Sequence, residues 1–513
     1  MKAICATFST VLLLGGLAAR AQDQCGVVAG ISYPVDLAQF QLAQDYNVPS
    51  PRHQGRYHTG EDYFGGRGVT YGQPVRAVAA GRVTYSAPNG WGRDGGVVII
   101  EHTFPDGSVA YSQYGHMEEI NEYRFPPRYG CVQQGDVVGA VGDIRPAPHL
   151  HFEIRINQPD VPGPGYSWDE PTVRGWRSPS RFIANWQTWL LPAHRWHVEL
   201  ADDAVFSAPP LVLDDGSLLM LDASRLRYAT PDGRVLWRLN LERAAVAVTA
   251  WQGAPLLTYA DGRMQRVNPD GTLGESWETG TAVTGAALTV GDLLVLRAPG
   301  DALLAFGADR RTPAWRLEGV PGSATIRASA GLIGAANATQ LLSIAPDGRL
   351  LDSANLSAGV SLSTAADGGL LAYTEGGLWR IDTNGVWALA LENVPPGGEE
   401  SAAIESESGY YLWSGGALRA VDAAGTPRWQ LDLPGVNGAA QLARYGNGLL
   451  LSTDGGDLIV VQADSGALCA TARVYADAAS GLWRALGADG VLRVAGAGAV
   501  TGLDWAEFSG ACG

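Results

Sequence analysis

Lysine occurs once in 513 residues, at Lys2; every other basic side chain is arginine. Schiff-base chemistry, phosphate-cradling P-loops and kinase-type active sites all need a lysine amine, so none is open to this chain. Positive charge is scarce altogether. The 36 Lys and Arg stand against 52 Asp and Glu, a net charge of −16, which excludes a nucleic-acid binder held by phosphate contacts. Histidine is absent after His197, all eight lying in the first part of the chain, so chemistry that needs imidazole is confined there. Long apolar runs are missing too: the one prominent stretch, Ile4 to Leu17, is too short for a comfortable membrane span.

That stretch reads as a secretory leader over residues 1–21. Lys2 supplies the positive start and Ala19-Arg20-Ala21 a small-residue cleavage site before Gln22. Cleavage removes Cys5 and leaves Cys25, Cys131, Cys469 and Cys512, an even set that in an exported chain predicts two disulfides. Of the three pairings open to four cysteines, the one that keeps each bond within its own domain is the simplest. No membrane span remains after cleavage, and the expected location is secreted or otherwise extracytoplasmic, in the bacterial cell envelope.

What is plentiful is glycine (67) and proline (29), in a chain that is 46% hydrophobic and only 17% charged. That combination predicts a folded chain of short strands joined by tight turns. The length exceeds one ordinary core and implies more than one domain. From Tyr57 to Ile156 the text alternates glycines with short β-rich runs: "PVRAVAAGRVTYSA", "GGVVIIEHT", "SVAYSQYGHM", "GDVVGAVG" and "HLHFEIRI". These read as antiparallel strands. Asn157 to Pro179 is proline-rich and loop-like, and "SRFIANWQTWLL" reads as a short closing helix.

Beyond residue 200 the text repeats. Units end in a turn followed by an aromatic, as in "PDGRVLW" (Pro231 to Trp237), "DRRTPAW" (Asp309 to Trp315), "TNGVW" (Thr383 to Trp387) and "AAGTPRW" (Ala423 to Trp429), with a weak eighth copy, "GAVTGLDW", ending at Trp505. The turn glycines Gly233, Gly271, Gly348, Gly385, Gly425 and Gly466 step by about 37 to 41 residues, with two steps between Gly271 and Gly348. A period of that length with no helical pattern predicts a β-propeller of eight blades, or seven if the last unit only completes the first. Trp237, Trp315, Trp387 and Trp429 are expected to pack between blades. The repeats resemble quinoprotein-type (PQQ-repeat) propellers, "AVDAAGTPRWQLDL" (Ala420 to Leu433) being the nearest copy. The resemblance implies architecture and not quinone chemistry, since no pair of adjacent cysteines is present.

Three features converge in the first domain. "HTGED" sets His58 and Asp62 four apart, "HLH" sets His149 and His151 two apart on a strand, and "YSQYGHM" places His116 in another strand. Residues i and i+2 of a strand share a face, so His149 and His151 can approach one site. Two imidazoles and a carboxylate form a three-ligand zinc site with a fourth position open to water, whose pKa the metal lowers toward about 7.

In this order, with "HTGEDYFG", "GQPVRAVAAGRVTYS", "GGVVIIEH", "YSQYGHM", "GDVVGAVG" and "PHLHFEIR" spread over some hundred residues, the sequence resembles the lysostaphin/LytM-type zinc endopeptidases, peptidase family M23. The resemblance implies that His58, Asp62 and His151 bind one zinc ion per chain. It implies that His116 and His149 are catalytic, with the zinc-bound water as nucleophile, His149 as general base and His116 at the oxyanion or the water, these two roles being exchangeable. Glu153 is a candidate partner for a ligand histidine. It also implies peptidoglycan cross-link peptides as substrate. The chain departs from the pattern in "VGDIRPAPHLHFE", where Ile144, Arg145 and Pro146 replace a small-residue turn, and in a longer polar segment from Glu118 to Cys131; both are expected to flank the groove. His102 is expected to be structural, His53 a loop residue, and His194 and His197 surface or interdomain packing residues.

The expected fold is therefore all-β. Residues 22–190 form an antiparallel LytM-type peptidase domain (core 57–156), 191–199 a linker, and 200–513 a seven- or eight-bladed β-propeller. The expected function is an exported zinc metallo-endopeptidase, with the propeller offering a surface to a protein partner. Two other readings remain open at this point: a binding or assembly protein centred on the propeller, and a peptidase acting on secreted proteins.

Overall fold

The glycine-separated apolar runs between Pro74 and Arg155 become strands because β-branched side chains suit a pleated sheet and the glycines between them turn the chain. The computed structural model describes residues 25–158, 160–200, 204–222, 224–285, 287–308, 312–329, 331–436, 438–474, 482–496 and 498–512. The expected leader, residues 1–21, lies outside the described residues. Two compact units divide the chain, Met1–Ser180 and Arg181–Gly513.

In the first unit the strands are β1 (Gln41–Gln44), β2 (Pro49–Ser50), β3 (Arg56–His58), β4 (Glu61–Phe64), β5 (Pro74–Arg76), β6 (Gly81–Ala87), β7 (Gly96–Thr103), β8 (Val109–Glu118), β9 (Cys131–Val132), β10 (Val137–Val141), β11 (Leu150–Arg155), β12 (Tyr166–Ser167) and β13 (Trp176–Arg177). The main sheet runs β1-β4-β11-β8-β7-β6-β9, with β10 against β5 and β8 and β13 against β11; β12-β3-β2 forms a small second sheet. All the pairings are antiparallel, as the short alternating runs predicted. Val97 to Ile100 of β7 are wholly buried, which is what a continuous apolar run on a strand covered on both faces produces. Cys25 is bonded to Cys131.

Among the described residues the second unit holds eight four-stranded antiparallel sheets. Seven are built from consecutive strands, over 211–240, 245–278, 288–318, 325–355, 361–391, 402–432 and 440–473. In the eighth, β14 (His194–Glu199) pairs with Ala499–Asp504, beside Val491–Gly496 and Trp483–Leu486. Apolar clusters join each sheet to the next: Leu221 and Leu226 meet Leu257 and Val267, and Leu450 and Val460 meet Leu492 and Leu503. A closing cluster sets Val198, Ala495 and Val500 against Leu218, Met220 and Ala229. The blade count is therefore eight.

Two expectations change. Residues 191–199, expected as a linker, contribute a strand, because the first strand of the unit closes the ring on the last. The helix expected over "SRFIANWQTWLL" forms over Pro179–Trp189 and starts at the division between the units, ahead of the expected domain end at 190. Cys469 is bonded to Cys512, so each disulfide lies within its own unit.

The repeating tryptophans pack between blades, as expected. Trp237 donates Nε1–H to the Pro269 carbonyl at 3.3 Å, Trp315 to Pro346 at 2.8 Å and Trp429 to Ala463 at 2.9 Å, each in the following sheet. Trp387 instead reaches Ser343 Oγ of the preceding sheet, at 3.0 Å. In the eighth sheet the docking place is taken by Trp196 of β14, against Gly233. Trp505, the aromatic of the weak eighth copy, opens a short helix, Trp505–Ser509. A Cβ on Gly271 would lie 2.7 Å from the Trp237 ring, at a φ of +83°. Gly271→Ala is thus expected to cost about 2–4 kcal/mol through overpacking and a left-handed backbone, read as a lower midpoint of thermal or denaturant unfolding.

Candidate metal centre

Strand register brings the three candidate ligands together. On adjacent strands Asp62 of β4 lies directly opposite His151 of β11, and His151 lies opposite Gly115 of β8. The Thr59-Gly60 turn folds His58, at the end of β3, back over Asp62. His58 Nε2 is 3.2 Å from Asp62 Oδ1, His151 Nδ1 is 3.0 Å from the same oxygen, and the two nitrogens are 3.0 Å apart. All three residues are buried. Donor atoms sharing a tetrahedral ion at ordinary zinc–nitrogen distances stand about 3.3 Å apart.

The far side of each imidazole decides what the near side offers. His58 Nδ1 faces the Asp45 carbonyl at 3.0 Å, which can only accept, so Nε2 is left with its lone pair toward Asp62. His151 Nε2 donates to Glu153 Oε1 at 3.0 Å, leaving Nδ1 for a proton or a metal. Burial alone would lower the His151 pKa, but its bonds to Asp62 and Glu153 outweigh that and hold it up at about 9. Burial opposes ionisation of Asp62, yet the hydrogen bond from His151, beside His58, holds its carboxyl well below the usual range. A buried point faced by a carboxylate and two imidazole nitrogens calls for a cation, and the donor set suits a divalent metal.

Glu153, foreseen as a ligand's partner, is wholly buried and accepts from His151, from Thr59 Oγ1 at 2.7 Å and from Trp176 Nε1 at 2.8 Å. Burial would raise its pKa, but the His151 bond holds it low. Glu153→Gln removes the charge that orients His151 and is expected to weaken metal affinity about 10- to 100-fold, measured by competition with a chromophoric chelator. The other carboxylate of β4, Glu61, accepts from Tyr63 and from Ser180, away from Asp62.

His149 and His116 flank the cluster. His149 stands just before β11, with Nε2 3.5 Å from Asp62 Oδ2 and Nδ1 on the Ala147 carbonyl at 2.9 Å. His116 sits at a bulge: Gly96 pairs with Met117 but Val98 with Tyr114, so β8 carries one residue more than β7. Its φ is +62°, an uncommon backbone for a residue with a side chain. Nδ1 donates to the Asp94 carbonyl at 2.7 Å, and the ring centre lies 4.7 Å from that of His149. Burial first, then the neighbouring His149 and His151, push its pKa down to about 3.

Four of the five residues, Asp62, His116, His149 and His151, line a groove of about 940 Å³, with His58 buried behind them. Ile144, Arg145 and Pro146 line it, as expected, whereas no residue from Glu118 to Cys131 does. That longer segment is tied elsewhere, Ser86 Oγ donating to the Pro126 carbonyl and Arg128 Nε to that of Thr84.

Sequence reading passed over Trp91, whose ring lies 5.0 Å from His116 and 5.3 Å from His151 and whose Nε1–H holds the Gly163 carbonyl at 2.8 Å. Its place depends on Gly115, where any Cβ would strike the indole. It also underrated His53, which lines the groove stacked on Tyr166 at 3.6 Å. His102 is structural, held between the Ala80 carbonyl and Ser112 Oγ. His194 and His197 lie on β14, His197 stacked on Trp189 at 3.7 Å.

Residues 56–162 match the model described as peptidase family M23, so the chain carries an M23 peptidase domain in its first unit. Among solved structures it is similar to BamB from Moraxella catarrhalis, at 13% identity and a TM-score of 0.45 over 61% of this chain and 99% of that one. It is similar to the computationally designed Ika8 protein, at 13% identity and 0.46 over 61% and 98%. It is also similar to Saccharomyces cerevisiae Sqt1, at 12% identity and 0.46 over 61% and 99%. No curated protein matches the chain. Among the described residues no helix is long and apolar enough to cross a membrane.

Proposed function

We propose that the protein is an exported zinc metallo-endopeptidase that hydrolyses peptide bonds in bacterial peptidoglycan cross-links. The observation that carries this reading is the convergence of His58 Nε2, Asp62 Oδ1 and His151 Nδ1 on one point beneath a groove, flanked by two further histidines. His58, Asp62 and His151 would hold one zinc ion, and two disulfides suit an oxidising compartment outside the cytoplasm. When bound, the metal supplies Lewis-acid polarisation of the scissile carbonyl and a more acidic water.

The roles of the other two histidines follow from their partners. Both Nδ1–H groups are engaged by carbonyls, so both Nε2 atoms are acceptors toward the groove. Once protonated, His149 has the Asp62 carboxylate beside it to stabilise the cation, while His116 has no carboxylate partner among the described residues. His149 therefore takes the proton from the attacking water and returns it to the leaving amine, and His116 orients the water as a neutral acceptor.

The test is incubation of the full chain with purified peptidoglycan, with chelator and with zinc restored, and mass spectrometry of new amine termini. New termini that vanish on chelation and return with zinc support the reading. An intact wall beside a zinc-loaded protein overturns the substrate assignment.

A further inference from the structure

Three arginines line the groove: Arg52, Arg56 and Arg145. Arg56 is engaged, Nε donating to the His53 carbonyl at 3.1 Å and the guanidinium lying 5.6 Å from the Trp168 ring centre. Arg52 and Arg145 are different. Both are exposed, and neither has an ion-pair or hydrogen-bond partner among the described residues. They come from separate segments. Arg52 lies in the turn before β3, its charge felt by His53 and Tyr166 on the groove wall; Arg145 lies in the loop leading into β11, four residues ahead of His149.

Of the two carboxylates that line the groove among the described residues, Asp62 is committed to three histidines, which leaves Asp94 as the other negative group there. In a stretch, residues 22–199, where acids outnumber bases 18 to 14, the groove is thus cationic. Free guanidinium forks facing a peptide-binding cleft are suited to a carboxylate, which they grip by charge-assisted and often bidentate hydrogen bonds.

We propose that the groove selects peptides with a carboxylate within a few residues of the scissile bond, read by Arg145 and Arg52. This rests on the peptidase reading of the same site.

The experiment digests a mixed-sequence peptide library with the full zinc-loaded chain and reads the new termini. It then compares two quenched fluorescent peptides of the best-cut sequence that differ only as Glu against Gln. The Glu peptide is expected to be cut with about tenfold higher kcat/KM, carried mainly by KM and shrinking as salt is raised. In Arg145→Ala and Arg52→Ala the Glu-to-Gln ratio falls toward one, and Arg145→Glu turns the preference toward a Lys analogue. Arg67→Ala, an exposed arginine outside the groove lining, keeps the ratio. A ratio near one in the parent chain, or one unmoved in both arginine variants, overturns the proposal. If no peptide is cut at all, the peptidase reading falls, and the groove is judged by fluorescence anisotropy of labelled Glu and Gln peptides. Arg-dependent preference for Glu then supports the proposal, and equal binding overturns it.

Discussion

Replacing His151 with alanine is expected to reduce bound zinc from about one ion per chain to none and to leave no chelator-sensitive cleavage. The imidazole is one of three donors at the cluster, and two cannot hold the ion in a closed, buried site. It is also the bridge between two buried carboxylates, Asp62 at 3.0 Å and Glu153 at 3.0 Å. Without it those groups face each other across a cavity, which adds a stability loss of at least about 1–3 kcal/mol from unpartnered buried groups. His58→Ala separates the two effects. It removes a candidate ligand whose far nitrogen holds only the Asp45 carbonyl and leaves the bridge between Asp62 and Glu153 intact. Metal analysis of both variants beside their melting curves is decisive: zinc retained at full stoichiometry in either would sink the ligand assignment.

The second large effect separates the flanking histidines. His149→Ala is expected to keep the zinc and lose about 10²- to 10⁴-fold in kcat, the usual worth of a positioned general base. His116→Ala keeps the zinc as well and loses on the order of 10²-fold, since it removes an orienting acceptor. Steady-state kinetics at constant metal content check both. A larger loss in the His116 variant than in the His149 variant would reverse the two roles. The reason for the expected order is local: His149 Nε2 has a carboxylate oxygen at 3.5 Å to receive a cation, and His116, at a bulge with a carbonyl behind it, has none.

Much of this was legible because it is carried by spacing. A four-residue step across a tight turn and a two-residue step along a strand bring His58 against Asp62 and His149 beside His151 whatever surrounds them. The glycine-aromatic period of the second unit is likewise a local record of turns and strand ends, and it predicted tryptophans wedged between blades. What failed was the end of the series. Trp505 has the right neighbours in sequence, but the strand that completes the eighth blade is His194–Glu199, three hundred residues earlier, and it brings Trp196 to the vacant docking place. No window of sequence contains both halves of that sheet.

The groove divides in the same way. Its chemistry — a three-donor cluster, two flanking imidazoles and a carboxylate behind one ligand — is determined by residue type and periodicity, which a chain carries with it before it folds. Its walls are not. That the longer segment from Glu118 to Cys131 does not line the groove, that Trp91 lies against His116 and His151, and that His53 stacks on Tyr166 all depend on residues far apart in sequence meeting across separate strands. Local steric preference and hydrogen-bond geometry act over a few residues, so sequence alone determined the strands, the repeats and the His-Asp-His cluster. Burial of apolar faces acts over the whole chain, and only that tertiary packing decided the closure of the propeller and the charge of the cleft.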